Sequence, residues 1–452
     1  MKNKKITLST TQIIMFSFLA VVFVGSILLS LPISSASGES VGYIDALFTA
    51  TTATCVTGLV TLPTVSTWSI FGQIVILLLI QIGGLGTITV ISAVMIAINK
   101  KMRLSDYQLI QDAFNLNSFS GLSKMVKSVV KGTLVVELVG TLLYMIVFVP
   151  EFGAKGIWIS LFTSVSAFCN AGIDIIAENS LCNYALNPLV NAVTSALIIL
   201  GGLGYIVWWD VIRIIPEIRR HGFTSLKKLT LHSKIVLVAN LVLIFGGAAV
   251  ILLCEYDNSA TIADLSFFDK LQVAFFQSVT TRTAGFASVP QENLTDATAM
   301  FCLALMFIGG SPVGTAGGIK TTTVFVLLAT AISTIRNRDD VCLFNRSLSK
   351  QVTRKAVAVT GMSFVIFFLS TVLLASVTDA PAIDILYETV SATATVGLTR
   401  NLTPVLDLLG KLIIICTMYF GRIGPISLAV AFASNKESIN VIKNPTEDIS
   451  VG

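Results

Sequence analysis

Four glycines, Gly58, Gly172, Gly285 and Gly397, stand 114, 113 and 112 residues apart, and each closes a short stretch of small or hydroxyl-bearing residues. The stretches are Thr54-Cys55-Val56-Thr57-Gly58, Phe168-Cys169-Asn170-Ala171-Gly172, Thr281-Arg282-Thr283-Ala284-Gly285 and Thr393-Ala394-Thr395-Val396-Gly397. An aromatic ring precedes each glycine by ten positions (Phe48, Phe162, Phe275, Tyr387), and an apolar residue follows it (Leu59, Ile173, Phe286, Leu398). What such residues offer to chemistry is oxygen. A cation leaving water must exchange its hydration oxygens for others, and rings of backbone carbonyls can supply them. Turning consecutive carbonyls one way needs backbone that L-residues resist and glycine permits. Three of the four stretches carry no charge, so each reads as one quarter of a carbonyl selectivity filter for a large monovalent cation. Arg282, three residues before Gly285, would repel a cation if it faced the path; it is expected behind the filter, paired with carbonyls or a carboxylate.

A second set of glycines follows each of these by 24 to 29 residues, in the tetrads 83–86 (GGLG), 201–204 (GGLG), 309–312 (GGSP) and 421–424 (GRIG). In the first two, close packing of helices is the expected role of the small residues. The third continues through Gly309, Gly310, Ser311, Gly314, Thr315, Gly317 and Gly318, five of them glycine, with Pro312 among them. At roughly 1 kcal/mol per glycine and about 3 for proline, no continuous helix survives there. This segment is a candidate gate. Arg422 takes the tetrad position that Gly84, Gly202 and Gly310 hold elsewhere, and is expected to face the loop, bind its carbonyls and add a positive barrier to cations; a snorkelling arginine is the bland alternative. Lys320 either snorkels or braces the loop. Glu137, mid-span, reads as structural and in contact with a pore helix.

These stretches need elements to hold them, and composition says where those lie. The chain has 452 residues, 54% hydrophobic and 12% charged, with a mean hydropathy of +0.85, far from the roughly 25% charged of soluble domains. Apolar runs long enough to cross a bilayer occur at about 13–31, 70–98, 128–149, 189–211, 234–254, 298–335, 355–376 and 408–432. They give two spans per repeat, and each glycine-ended stretch lies between the two, too short to cross. Irregular backbone at membrane depth is tolerated only where it is buried in protein or lines a water path. The expected fold is therefore an all-α membrane protein of four helix–pore loop–helix repeats around one pore, with eight transmembrane helices and four pore helices. The repeats are placed at 1–98, 99–233, 234–335 with the broken inner helix, and 336–452 with the C-terminal tail.

Charge sets the orientation. The segments without pore loops carry 23 Lys/Arg against 9 Asp/Glu and the opposite side 5 against 15, with Lys320, Arg422 and Glu137 inside spans. A Lys/Arg excess marks the cytoplasmic side, so both termini are expected there, in a multi-pass protein of the plasma membrane. The net charge of +5 is accounted for by this topology and calls for no nucleic-acid partner. Lys2, Lys4 and Lys5 before an apolar run also fit a secretory leader, but its removal would leave the first repeat without its outer helix. The seven cysteines show no CxxC spacing and only two histidines occur, so neither a disulfide framework nor a zinc site is indicated. GTAGGIKT at 314–321 is no phosphate loop, because Ile319 separates glycine from lysine and no strand precedes it. HExxH and GxSxG are missing, so no enzyme is expected.

The repeat unit, with TCVTGL at 54–59, TRTAGF at 281–286, AGGIKTT at 316–322 and GRIGP at 421–425, resembles the membrane subunit of bacterial Ktr potassium uptake systems, in the Trk/Ktr/HKT superfamily. The likeness covers essentially the whole chain. Two positions depart from the pattern: Thr281 stands where proline is expected, and Cys169 stands in the second filter. The resemblance implies potassium as substrate at the filter carbonyls, sodium as a candidate activator, and no cofactor on this chain. It also implies that the 309–318 loop is the gate, that the chain forms a homodimer, and that a cytosolic KtrA-type ring of nucleotide-binding subunits regulates it, with Arg219, Arg220, Lys227 and Lys228 as a docking face. The same charges suit anionic membrane lipid. A sodium-coupled or sodium-translocating protein is the alternative within the superfamily.

Overall fold

A computed structural model describes residues 9–97, 122–338 and 340–424. The expected connection at 99–127 therefore lies largely outside the described residues, as does the repeat boundary at 98–99. Pro425 of the GRIGP motif, the end of the last apolar run and the C-terminal tail also lie outside them.

The chain repeats one three-part order. A long helix comes first: α1 Thr10–Leu29. A short buried helix follows, α2 Tyr43–Cys55, then an inner helix in two pieces, α3 Ile70–Leu85 and α4 Thr87–Ala97. The second round is α5 Leu122–Phe152, α6 Lys155–Cys169, α7 Pro188–Leu203 and α8 Tyr205–His221. The third is α9 Leu231–Glu255, α10 Phe267–Thr280, α11 Asp296–Phe307 and α12 Thr321–Ile335, and the fourth α13 Lys350–Val377, α14 Ala382–Ala394 and α15 Leu408–Ile423. A two-residue hairpin, Cys342–Leu343 with Arg346–Ser347, precedes α13. α9 starts at Leu231 with its N-cap at Thr230, inside the stretch that composition assigned to the second repeat.

The long helices α1, α5, α9 and α13 are each apolar and long enough to cross a membrane, and only 33%, 33%, 44% and 17% of their most apolar windows is buried in the protein. A helix apolar on the face it does not bury is facing lipid. The short helices α2, α6, α10 and α14 are the opposite case, with every residue from Phe48 to Cys55 and from Phe162 to Cys169 buried.

The inner helices correct the expectation of continuous spans interrupted only in the third repeat. α3 and α4 meet at 97°, and α7 and α8 at 100°. The cause is the last glycine of these two tetrads: Gly86 and Gly204 take φ of 83° and 85°, where no α-helix continues, and Gly424 at the end of the fourth tetrad takes 88°. Close packing, the role expected for the first two tetrads, is also present. A Cβ on Gly83 would stand 2.0 Å from the Thr54 carbonyl oxygen, and one on Gly201 2.0 Å from that of Phe168.

Each inner helix starts from a side-chain cap, with Ser69, Asn187, Thr295 and Asp407 each accepting from a first-turn N–H, which satisfies one of the orphan donors there. The assembly closes on itself. α6 packs on α3, α10 on α7, α14 on α11, and α2 on α15. Each short helix thus rests on the inner helix of the repeat before it, and the first rests on the last.

Candidate ion-conduction pore

That closure brings the four glycines together. A Cβ added to Gly58 would lie 2.5 Å from the carbonyl oxygen of Ala171; on Gly172, 2.6 Å from that of Ala284; on Gly285, 2.6 Å from that of Val396; and on Gly397, 2.2 Å from that of Thr57. In every case the neighbour is the carbonyl one residue before the next repeat's glycine. The rule holds four times around a closed circuit, so Thr57, Ala171, Ala284 and Val396 form a ring of backbone oxygens with the glycines packed between them.

Sequence credited glycine alone with the necessary freedom, and the structure corrects that. The glycines have φ of 100°, 64°, 83° and 99°, but Val56, Asn170, Thr283 and Thr395 are left-handed as well, at 56°, 60°, 66° and 51°. For a β-branched residue this costs on the order of 1–2 kcal/mol, so each loop is held in place by its surroundings. A second correction concerns extent. Thr54, Cys55, Phe168, Cys169, Thr393 and Ala394 are the last turns of α2, α6 and α14, and Thr281 is the C-cap of α10; the loops proper begin after them. These helix C-termini carry partial negative charge toward the ring, which suits a cation.

The groups that hold the loops were missed as individuals. Thr52 Oγ1 accepts from Gly58 N (3.0 Å), Ser391 Oγ from Gly397 N (3.0 Å) and Ser166 Oγ from Ile173 N (3.1 Å). All three acceptor residues lie six residues before their repeat's glycine, a spacing available in the sequence. The third repeat has Val279 at that position, and Thr280 Oγ1 donates instead to Phe286 O (2.6 Å). In the fourth, buried Glu388 accepts from Thr399 Oγ1 (2.6 Å) and Thr403 Oγ1. Cys169 points away from the ring, its Sγ 3.7 Å from Gln81 Oε1 and 3.9 Å from Glu137 Oε1. Glu137 sits against the short helix α6, where Ser164 Oγ donates to its carbonyl (2.7 Å). The hydroxyls of Thr54, Thr57, Thr283 and Thr395 are buried and have no protein partner.

Arg282 lies behind the ring. It is 6% exposed, donates from Nη1 to Asn240 Oδ1 and from Nη2 to Gly309 O (3.2 Å). Its side-chain partners are an amide and a carbonyl, with no carboxylate among them. Asn240, on α9, has no signal in the sequence beyond being polar within an apolar run.

The irregular segment between α11 and α12 lies directly beneath. It is tied to itself by Gly309 N to Ile319 O (3.0 Å) and Gly310 N to Gly317 O (3.2 Å), and to the α7–α8 joint by Ser311 N to Gly202 O (2.9 Å) and Thr315 N to Gly201 O (3.1 Å). Thr315 Oγ1 donates to Phe168 O (3.1 Å). Gly314 also packs on Gly201, where a Cβ would stand 2.8 Å from the carbonyl oxygen, and one on Gly317 would meet Thr395 Oγ1 at 1.9 Å. Gly318 takes φ of 67° against Gly309. Arg422 donates from Nη1 to Thr315 O (2.6 Å) and from Nη2 to Gly83 O (2.6 Å), and Lys320 Nζ donates to Ala316 O (2.7 Å). Both cations therefore hold the segment's carbonyls. A cavity of about 380 Å³ opens here, lined by the segment, the tetrads of the first and fourth repeats, and Arg422 and Lys320. Among the described residues no cluster of His, Cys, Asp or Glu could hold a metal ion.

Comparison with known proteins assigns the family. Residues 3–443 match the family described as TrkH, cation transport protein. The chain belongs to the TrkH family. It is 38% identical to the potassium/sodium uptake protein NtpJ of Enterococcus hirae, over 100% of this chain and 99% of that protein. It is also 38% identical to the Ktr system potassium uptake protein B of Bacillus subtilis, over 99% and 98%. The crystal structure of the potassium transporter TrkH from Vibrio parahaemolyticus superposes with a TM-score of 0.74 at 14% identity, over 96% of this chain and 87% of that one, and so shares the fold. The family is one of ion transporters, not enzymes, and the chain is a multi-pass membrane protein.

Proposed function

We propose that this chain is the ion-translocating subunit of a potassium uptake system, and that it conducts in a channel-like manner. The observation that carries the reading is the closed circuit of Thr57, Ala171, Ala284 and Val396 carbonyls, each abutting the next repeat's glycine. Potassium is the substrate, and the partnerless hydroxyls of Thr54, Thr57, Thr283 and Thr395 offer further oxygens near the ring. The segment 309–320 is the gate, and Arg422 holds it under the filter while placing a positive charge on the path. Both termini are cytoplasmic, on the strength of the 23-to-9 excess of Lys/Arg over Asp/Glu on that side. The chain works as a homodimer on a cytosolic ring of nucleotide-binding regulatory subunits, a reading supported by relatives named as parts of Ktr systems. Arg219, Arg220, Lys227 and Lys228 are exposed and present a basic face to that ring or to anionic lipid.

A second reading, sodium translocation or sodium activation, is favoured by one observation: a relative at 38% identity is named a potassium/sodium uptake protein. A single glycine per loop also gives fewer stacked oxygen layers than a longer filter would, which weakens discrimination against sodium. Rubidium uptake, with and without sodium, in cells stripped of other potassium transport decides between them. Growth rescue at low potassium with rubidium flux supports the first reading; sodium flux without rescue replaces it with the second.

A further inference from the structure

Between filter and gate lies a small cavity of about 10 Å³ lined by Asn170, Gly202, Asn240, Arg282 and Gly310 together with apolar side chains. That is room for the centre of one water molecule. Two of its walls end in donors without an acceptor: Arg282 Nε and Asn170 Nδ2 are buried and have no protein partner. Arg282 is 6% exposed and Asn170 1%, so bulk solvent does not serve them. A buried donor left unpaired costs about 1–3 kcal/mol. No Asp or Glu lines the space.

The same side chains also hold the segment 309–320. Thr315 Oγ1 shares its one proton between Phe168 O (3.1 Å) and Asn170 Oδ1 (3.3 Å), Arg282 Nη2 donates to Gly309 O (3.2 Å), and Asn240, which receives Arg282 Nη1, donates from Nδ2 to Ser311 Oγ (3.3 Å). Asn170 belongs to the second filter loop and Arg282 to the third. The cavity thus sits where two filter loops and three positions of the segment beneath them meet.

We propose that one water molecule occupies this cavity, accepts hydrogen bonds from Arg282 Nε and Asn170 Nδ2, and joins two filter loops to the gate segment as a single hydrogen-bonded unit. Displacing the segment pulls Gly309, Ser311 and Thr315 away from these side chains, so the filter feels the gate's position. The coupling rests on the reading of 309–320 as a gate; the water site does not.

Two measurements test this. The first is an X-ray diffraction map of the full chain crystallised from lipid, at a resolution that shows ordered water. It should contain one peak at hydrogen-bond distance, about 2.7–3.2 Å, from both nitrogens. No peak, or a protein partner on either nitrogen, overturns the site; an anomalous peak there after exchange into bromide makes the occupant an anion and overturns it too. The second is a double-mutant cycle between Asn170→Asp and Arg422→Ala, read as the ratio of rubidium to sodium uptake. Coupled elements should depart from multiplicative behaviour by about threefold or more, as groups in one network do. Multiplicative ratios overturn the coupling. Should Asn170→Asp fail to reach the membrane, Asn240→Asp presents a carboxylate to Arg282 from the other wall and completes the same cycle. If the unaltered chain moves no potassium, the conduction reading fails while the map still decides the site.

Discussion

At the scale of single residues, the geometry separates glycines that the sequence presents as equals. Gly397 has φ of 99° and a prospective Cβ 2.2 Å from Thr57 O, whereas Gly246 on α9 has nothing within 4 Å. Gly397→Ala should therefore cut potassium uptake by more than tenfold or abolish discrimination against sodium, while Gly246→Ala leaves uptake unchanged; equal behaviour of the two would refute the ring. Arg422 allows a graded test. Its guanidinium spans two carbonyls, Thr315 O and Gly83 O, each at 2.6 Å, and lysine is a point charge that cannot reproduce a fork. Arg422→Ala should raise flux or free it from control, with Arg422→Lys intermediate. Unchanged uptake and regulation in both would remove Arg422 from the gate. The four repeat glycines, Arg282 and Arg422 stand out in the sequence because each breaks a local pattern: a period, an uncharged loop, a tetrad of small residues. Asn240 was not, because nothing in a run of apolar residues tells which polar one meets a buried arginine from another helix.

At the scale of elements, the inner helices matter most, and here the sequence was half readable. Five glycines and a proline within 309–318 announced the break in the third repeat. The bends near 100° in the first two repeats were hidden, because the glycines of each GGLG tetrad read equally as close helix packing and only the φ of the last one shows otherwise. The two joints should respond differently to alanine. On Gly204 a Cβ would stand 2.3 Å from Pro312 O, in the segment beneath the filter, whereas on Gly86 the nearest atom is Thr89 Oγ1 at 3.9 Å. Both substitutions strain a backbone conformation that only glycine readily adopts, by about 1–3 kcal/mol, but only Gly204→Ala also clashes with the segment. Gly204→Ala should thus alter gating of rubidium flux much more than Gly86→Ala, and equal effects would argue against a gate held by the α7–α8 joint. The hydroxyl ties behave as local staples. Ser166→Ala removes the bond to Ile173 N (3.1 Å) and leaves that buried N–H unpaired, at about 1–3 kcal/mol, and should lower the rubidium-to-sodium uptake ratio without loss of protein from the membrane. An unaltered ratio would show that the left-handed turn at Asn170 holds the loop without help.

At the scale of the whole molecule, the fourfold period predicted the architecture because each repeat must bury its short helix against a neighbour, and only closure gives every one of them a neighbour. Periodicity could not supply the order of contact, in which each short helix lies on the preceding repeat's inner helix. Sidedness can be tested with thiols. Cys342 is exposed in the hairpin before α13, on the side that the Lys/Arg excess places in the cytoplasm. In a variant that keeps only this cysteine, a membrane-impermeant maleimide should label inside-out vesicles and spare intact cells; labelling of intact cells would invert the proposed orientation. The ring of Thr57, Ala171, Ala284 and Val396 has a last consequence, because all four quarters come from one polypeptide. In an assembly of identical subunits any substitution is imposed on every quarter at once. Here a codon change alters a single quarter, so selection can tune the aperture in small, asymmetric increments, and an experimenter can weigh each quarter's share of ion preference separately.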